Sequence, residues 1–406
     1  MKSKHNEAEA DLHPRRKIVW GVCGIGNGHT FRQLPLIEHF SRSCTVVILA
    51  YGESLKFYQG RFADHRHVYV LPVVVPFYVG SRQGLDFEAT ANLEANKTLD
   101  LSLNLKTLAR VQELVGKPDL VVSDYEPVSA QYAYGTGAPL VTIDQQSKYL
   151  RESFPEELDG HYYADEIARL KLFFPAAQDR LAVSFFDVAE PLPAAHGSNQ
   201  SLLGSQVKIL PPVIKASVEA IKERRSRNEC ESAAKGLSLL VYASSQKDFP
   251  QAIPDMLAQL ALLPEVQFQV FLPAKDAQPL QAASGFANVQ IYQHGDAAFD
   301  TVLASADGIV TTAGHTLLSE AMYLGLPAYV IPLAVYEQVM NAEVIRANSF
   351  GLQDRTVNAK SLRRFVQELP QMAQAIASDK KVLLRGSGLE PLLQCLEGYL
   401  SAKAEY

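Results

Sequence analysis

Cysteine is scarce and unpaired in this chain. The four thiols, Cys23, Cys44, Cys230 and Cys395, form no CxxC and no spacing that suits a zinc site or a disulfide frame. They are expected to be reduced, and the protein cytoplasmic. No apolar run approaches the length that crosses a bilayer. The longest, LPVVVPFYVG at 71–80, is broken by Pro72 and Pro76. Basic charge is not in excess either, and a net charge of −6 argues against a broad nucleic-acid footprint. The opening MKSKHNEAEADLHPRRK lacks the apolar centre of a signal segment, so residues 1–16 are expected to be a disordered tail.

What is present is ordinary globular material, 47% hydrophobic and 20% charged, in 406 residues, a length that predicts two domains. From Lys17 onwards, KIVWGVC (17–23), TVVILA (45–50), HVYVLPVV (67–74), DLVVSD (119–124) and PLVTI (139–143) are nearly all apolar. Strands buried on both faces of a parallel sheet read this way. Helical patterns separate them, including a long run from about Leu93 to Val115 and EPVSAQYAYG at 126–135. The pattern restarts after KILPPV (208–213) and the charged stretch 222–236. LSLLVYA (237–243), VQFQVFL (266–272), NVQIY (288–292), GIVTT (308–312) and PAYVIP (327–332) follow. Two doubly wound α/β domains are predicted, 17–206 and 207–388. A last helix within 389–406 needs a partner for its apolar stripe, and the first domain is a candidate. Ligands in such sheets bind beyond the carboxyl ends of the strands.

Two motifs stand at those positions. After the first strand comes GIGNGHT (24–30), where Gly24, Gly26 and Gly28 permit close approach of the backbone to a ligand. The dinucleotide fingerprint GxGxxG fails, because His29 occupies the third glycine position and the next strand ends in Leu49-Ala50-Tyr51 without an acid. At a helix start the dipole disfavours an imidazolium, so His29 is expected to be neutral and suited to general-base work. A histidine that merely caps the helix would look the same.

The second motif is TTAGHTLLSE (311–320). Gly314, His315 and Thr316 open a helix whose free N–H groups can seat an anion. Glu320 lies one turn beyond Thr316 on the same face. A carboxylate there repels phosphate but suits a vicinal diol, so the pair fits a nucleoside diphosphate. After the next strand, Glu337 and Gln338 begin a helix carrying Asn341, an acid and an amide suited to sugar hydroxyls. Ser244 and Ser245, after the strand at 237–243, could line the diphosphate side. Helix capping is the alternative for each motif taken singly.

Together GIGNGH (24–29), GHTLLSEAMYLGLP (314–327) and PLAVYEQVMNA (332–342) resemble the GT-B glycosyltransferases. The similar branches are those of the peptidoglycan-precursor N-acetylglucosaminyltransferase and of the UDP-glycosyltransferases. The plant-type tryptophan and asparagine after His-Cys-Gly are missing. Thr312 and Ala313 stand where the peptidoglycan enzymes carry arginine and serine, which points to a less characterised branch. The resemblance implies an acceptor domain and a donor domain facing a cleft. It also implies inverting transfer from a nucleotide-diphosphate sugar, UDP-linked by analogy, with His29 as base. Gly28, Ser244, Ser245 and Gly314 to Thr316 would meet the diphosphate, Glu320 the ribose, and Glu337 and Gln338 the sugar. No metal and no cofactor beyond the co-substrate is implied. The acceptor would be a small molecule, a glycan or a lipid-linked glycan, which leaves peripheral contact with the inner face of the membrane open. An epimerase on the same fold and a non-catalytic nucleotide-sugar-binding protein are the rival readings.

PDLVVSDYEP (118–127) places Asp124 and Glu126 at a strand end. Asp124 is a candidate to orient His29, with a helix cap before Pro127 as the alternative. Asp144, Gln145 and Gln146 are further candidate lining, or a polar loop. The poorly periodic segments 75–92 and 144–165 read as functional loops on the acceptor side. Phe77, Tyr78, Tyr149 and Phe154 in them either meet a lipid or pack inwards.

Overall fold

The computed structural model describes residues 15–151, 154–188, 206–227, 236–243, 249–283 and 285–401. The apolar runs become two parallel sheets. In the first, β1 (Arg16–Val22), β2 (Cys44–Ala50), β3 (Val68–Pro72), β6 (Leu120–Asp124), β7 (Leu140–Asp144), β10 (Asp179–Val183) and β11 (Gln206–Leu210) lie in the order β11-β10-β7-β6-β1-β2-β3. Two short hairpins, β4 (Val79–Ser81) with β5 (Gly84–Asp86) and β8 (Glu157–Leu158) with β9 (His161–Tyr162), decorate it. In the second, β12 (Leu237–Tyr242), β13 (Val266–Leu272), β14 (Val289–Gln293), β15 (Gly308–Thr311), β16 (Ala328–Val330) and β17 (Gly351–Gln353) lie in the order β14-β13-β12-β15-β16-β17.

Helices that matter for the site are α1 (Gly28–Ser41), α2 (Pro127–Thr136), α3 (Tyr163–Phe173), α4 (Ala216–Ser226), α5 (His315–Leu324), α6 (Tyr336–Ala347) and α7 (Leu389–Ser401). The strand KILPPV departs from the expected boundary at 206/207. It pairs in parallel with β10, Asp179 opposite Gln206 and Val183 opposite Leu210, and so closes the first sheet. The chain leaves the first sheet only after Leu210. Likewise the helical run expected over 93–115 is regular only from Ser102 to Val115, preceded by two short helices at 87–92 and 94–97.

Registers bring the functional ends together. Val22 lies opposite both Ala50 and Asp124, so the residues after β1, β2 and β6 share one edge. In the second sheet Thr311 lies opposite Tyr242 and Val330. α7 packs back onto the first sheet: Leu392, Leu396 and Leu400 are buried with Ile18, Trp20, Val46 and Ile48. Tyr399 donates to Asp179, 2.5 Å away. A second junction is a short antiparallel contact, with Leu384 N donating to Phe185 O at 3.0 Å. No helix among the described residues is long and apolar enough to cross a membrane.

Candidate active site

Gly24 has a local reason to be glycine. A Cβ there would lie 1.9 Å from the carbonyl oxygen of Tyr51, so the turn after β1 crosses the turn after β2 at backbone contact. That crossing starts α1 at Gly28 and sets His29 in its first turn. His29 Nδ1 lies 2.9 Å from Asp124 Oδ1 at the end of β6. Asp124 is fully buried and engaged on both oxygens. Arg32 Nε donates to Oδ2 at 3.0 Å, Arg32 Nη2 to Oδ1 at 2.7 Å, and Gln33 Nε2 to Oδ2 at 2.9 Å. Gln33 in turn accepts from the indole of Trp20 at 3.0 Å. Arg32 and Gln33 are absent from the sequence reading. Their signal was their place three and four residues after His29, on the same helical face.

The structure divides the two carboxylates of SDYEP. Glu126 turns away from His29 and caps α2, accepting from Val128 N at 2.7 Å and Ser129 N at 2.8 Å. Gly21 leaves room for it, since a Cβ there would meet Ser129 and Glu126. Burial raises the Glu126 carboxyl to about 7 despite these bonds.

The charge of His29 runs against the expectation from the helix dipole. Burial lowers its pKa, but the charges and hydrogen bonds of Cys23 and Asp124 raise it above the ordinary value. A helix end is worth about 0.3–1 kcal/mol to a charge, and a hydrogen bond to a buried carboxylate about 1.5–3 kcal/mol. Cys23 and the Asp124 carboxylate together outweigh the helix end. Against burial, Arg32 and His29 hold Asp124 down, at about 2.

In the second half, α5 begins at His315 with Gly314 as its cap residue. Thr316 Oγ1 donates to Gly28 O at 3.3 Å, so the two helix starts touch. His315 is 6% exposed and its Nε2 has no partner among the described residues. Burial and the charges of Lys148, Arg32 and His29 push its pKa well down, so it is a neutral imidazole at the mouth of the helix. Asn341, fully buried on α6, donates to Ala313 O at 3.0 Å, and its Oδ1 has no partner among the described residues. Buried polar atoms without partners are rare in folded proteins and mark places where a ligand or water completes the bonding.

Glu320 is buried, 2% exposed, and forms an ion pair with Lys215 Nζ at 3.0 Å. Lys215 precedes α4 and also lies over the Phe31 ring at 4.9 Å, joining both halves. Glu337 Oε2 accepts from Gln146 Nε2 of the first half at 3.0 Å. Gln338 instead braces its own loop, accepting from Leu333 N at 3.0 Å. Ser244 and Ser245 lie outside the described residues. Asp144 caps the short turn 147–150 by accepting from Ser147 N at 2.6 Å. Gln145 accepts from the fully buried Lys148, 2.9 Å away. Of the aromatic acceptor-side residues, Tyr149 and Phe154 pack inwards against each other at 4.8 Å, Tyr78 packs on Phe173 at 5.6 Å, and Phe77 remains 45% exposed. Among the described residues no three His, Cys, Asp or Glu side chains converge as a metal site.

Residues 16–370 match the sequence profile of glycosyl transferase family 1. The chain belongs to this family. It is a glycosyltransferase with two Rossmann-like domains. No curated protein matches it in sequence. Among solved structures it is similar to a UDP-glucose:anthocyanidin 3-O-glucosyltransferase in complex with UDP, at 12% identity and TM-score 0.60, over 90% of this chain and 93% of that one. It is similar to the calicheamicin glycosyltransferase CalG4 at 15% identity and TM-score 0.58, over 97% and 100%. It is also similar to MurG of Acinetobacter baumannii at 17% identity and TM-score 0.56, over 95% and 100%. At these identities the likeness is one of fold. In this chain the two halves meet at the paired starts of α1 and α5.

Proposed function

We propose that this family 1 transferase moves a sugar from a nucleotide-diphosphate donor, UDP-linked by analogy with the solved relatives, to an acceptor hydroxyl with inversion. The observation that carries the reading is the contact between the start of α1, where Asp124 backs His29, and the start of α5, Thr316 against Gly28. His29 in its neutral form takes the proton of the acceptor hydroxyl as that oxygen attacks the anomeric carbon. The bond to the diphosphate breaks, and the N–H groups at Gly314 to Thr316 receive the departing negative charge. Neutral His315 adds a hydrogen-bonding group there without the repulsion an anionic one would bring.

Glu320, whose carboxyl pKa burial raises and the Lys215 ion pair counters, accepts from the ribose hydroxyls. Glu337 and Gln338 face the sugar, and their present bonds to Gln146 and Leu333 exchange for sugar hydroxyls. Gly28, against Thr316, lets the two halves approach over the diphosphate.

The test is a transfer reaction with a panel of nucleotide sugars and simple alcohol acceptors, with the anomeric configuration of the product read by NMR. The expected product has the configuration opposite to that of the donor, and His29→Ala forms it at least about 100-fold more slowly. Diphosphate binding is expected to persist in that variant. A retained configuration, or an active His29→Ala enzyme, overturns the proposal.

A further inference from the structure

We propose that Arg32 is the positioning residue that limits the basicity of His29 and so sets the pH range in which the site can accept a proton. The inference rests on the reading of His29 as base. It stands on the geometry around one nitrogen. His29 Nδ1 lies 2.9 Å from an acceptor, Asp124 Oδ1, and 2.8 Å from a donor, Arg32 Nη2. A ring nitrogen cannot donate and accept at once. With its hydrogen on Nδ1, neutral His29 bonds to Asp124, and Nε2 carries the lone pair that can take a proton. In the doubly protonated ring, a cationic N–H also faces a guanidinium at contact distance, and that repulsion resists imidazolium formation.

Asp124 pulls the other way, but its charge is not His29's alone. Arg32 spans both carboxylate oxygens, at 2.7 and 3.0 Å, and Gln33 occupies Oδ2 as well. Arg32 is 5% exposed and Asp124 fully buried, so water screens neither. The other groups facing His29 are Cys23 after β1 and, on α5, His315, which burial holds neutral. Among the described residues facing His29, Arg32 is thus the one fixed cation, since a guanidinium stays protonated. A purely structural Arg32 would hold α1 against β6 and leave the titration of His29 where it is.

The test is the NMR titration of the His29 ring, assigned by its loss in His29→Gln, alongside the acid limb of the pH profile of kcat/KM. In Arg32→Met the His29 midpoint is expected to rise by at least about one pH unit, and the acid limb with it, a tenfold loss of kcat/KM on that limb. Arg32→Lys keeps a cation and is expected to titrate within about half a unit of the unsubstituted protein. In Asp124→Asn the midpoint is expected to fall, because burial and Arg32 then act without the carboxylate. The double variant Arg32→Met/Asp124→Asn isolates Arg32 without leaving its partner charge buried and unpaired: its midpoint is expected to lie at least about one pH unit above that of Asp124→Asn, and it decides the matter should Arg32→Met fail to fold. An unchanged or lowered midpoint in Arg32→Met, or in the double variant relative to Asp124→Asn, overturns the role of Arg32. A protein that transfers no sugar while these midpoints move as stated overturns the transferase mechanism and leaves the role of Arg32 standing.

Discussion

Replacing Asp124 by asparagine removes one charge from a crowded polar knot in the first domain. Asp124 accepts from Arg32 twice, from Gln33 once, and faces His29, all within 3.0 Å. Asparagine offers one carbonyl oxygen and turns an NH2 towards at least one of these donors. Two routes give the size of the loss. The Asp124 carboxyl is held at about 2 against a model-compound value of 3.8, which is on the order of 2–3 kcal/mol of preference for the charged folded form. Breaking a buried ion pair on one side costs about 3–5 kcal/mol, because Arg32 is left buried without its partner.

The chain's single tryptophan, Trp20, is buried in β1 and bonds to Gln33, one residue removed from the knot. Its fluorescence therefore reports unfolding of the first domain even if the second unfolds separately. With a urea slope of about 2–3 kcal/mol/M, the midpoint should fall by roughly 1–2 M. The pH dependence has a definite sign. The depressed pKa of Asp124 gives stability that is present above about pH 4 and lost as the pH falls through about 2, so it is constant from pH 5 to 8. The raised pKa of His29 gives stability that is full below about pH 6.5 and lost as the pH rises through its folded value. The difference between the two proteins should therefore be larger at pH 6 than at alkaline pH. A midpoint shift below about 0.3 M at pH 7 would refute the reasoning, since it would mean that the knot is solvated and worth little.

Other consequences concern separate parts of the site. Glu320→Ala should weaken binding of a nucleoside diphosphate about 100-fold through loss of two charge-assisted hydrogen bonds, and leave the 2′,3′-dideoxy analogue unaffected; calorimetry with both ligands checks this, and equal weakening of both removes Glu320 from the ribose. Glu126, raised to about 7 by burial, should lower the stability of the first domain as the pH rises from about 4.5 through 7, by roughly 3 kcal/mol in all. Glu126→Gln should flatten that part of the pH profile in the same Trp20 assay, and an unaltered profile counts against the assignment. Gly24→Ala drives a methyl into the carbonyl of Tyr51 and should cost about 1–3 kcal/mol or more by urea unfolding. Gly26→Ala meets open space and should cost only the strain of its positive φ, about 1–2 kcal/mol.

Much of the fold was legible because parallel strands buried on both faces leave unbroken apolar runs, as in TVVILA and DLVVSD. Which sheet a run joins is not written in the run. KILPPV sits where either domain could claim it, and pairing with β10 decides for the first. Motif placement was legible for the same reason: His29, Asp124 and the start of α5 each follow a strand, and strand ends share an edge. Their partners were harder to see. Arg32 meets Asp124 across 92 residues of sequence. Lys215 reaches Glu320 only because the chain passes between the domains before α4. The charge of His29 was judged on one local feature, the helix dipole, which Cys23 and a carboxylate from a distant strand together outweigh.

The central claim is that the start of α5 and Glu320 seat a nucleoside diphosphate. The most direct measurement is the thermal midpoint of the purified protein with UDP, dTDP, GDP, ADP and NAD. The account predicts that one diphosphate, at about 100 times its Kd, adds roughly 2.7 kcal/mol of stability, and that Glu320→Ala abolishes most of the shift at the same concentration. A midpoint moved by none of the diphosphates, or moved equally in Glu320→Ala, would contradict it.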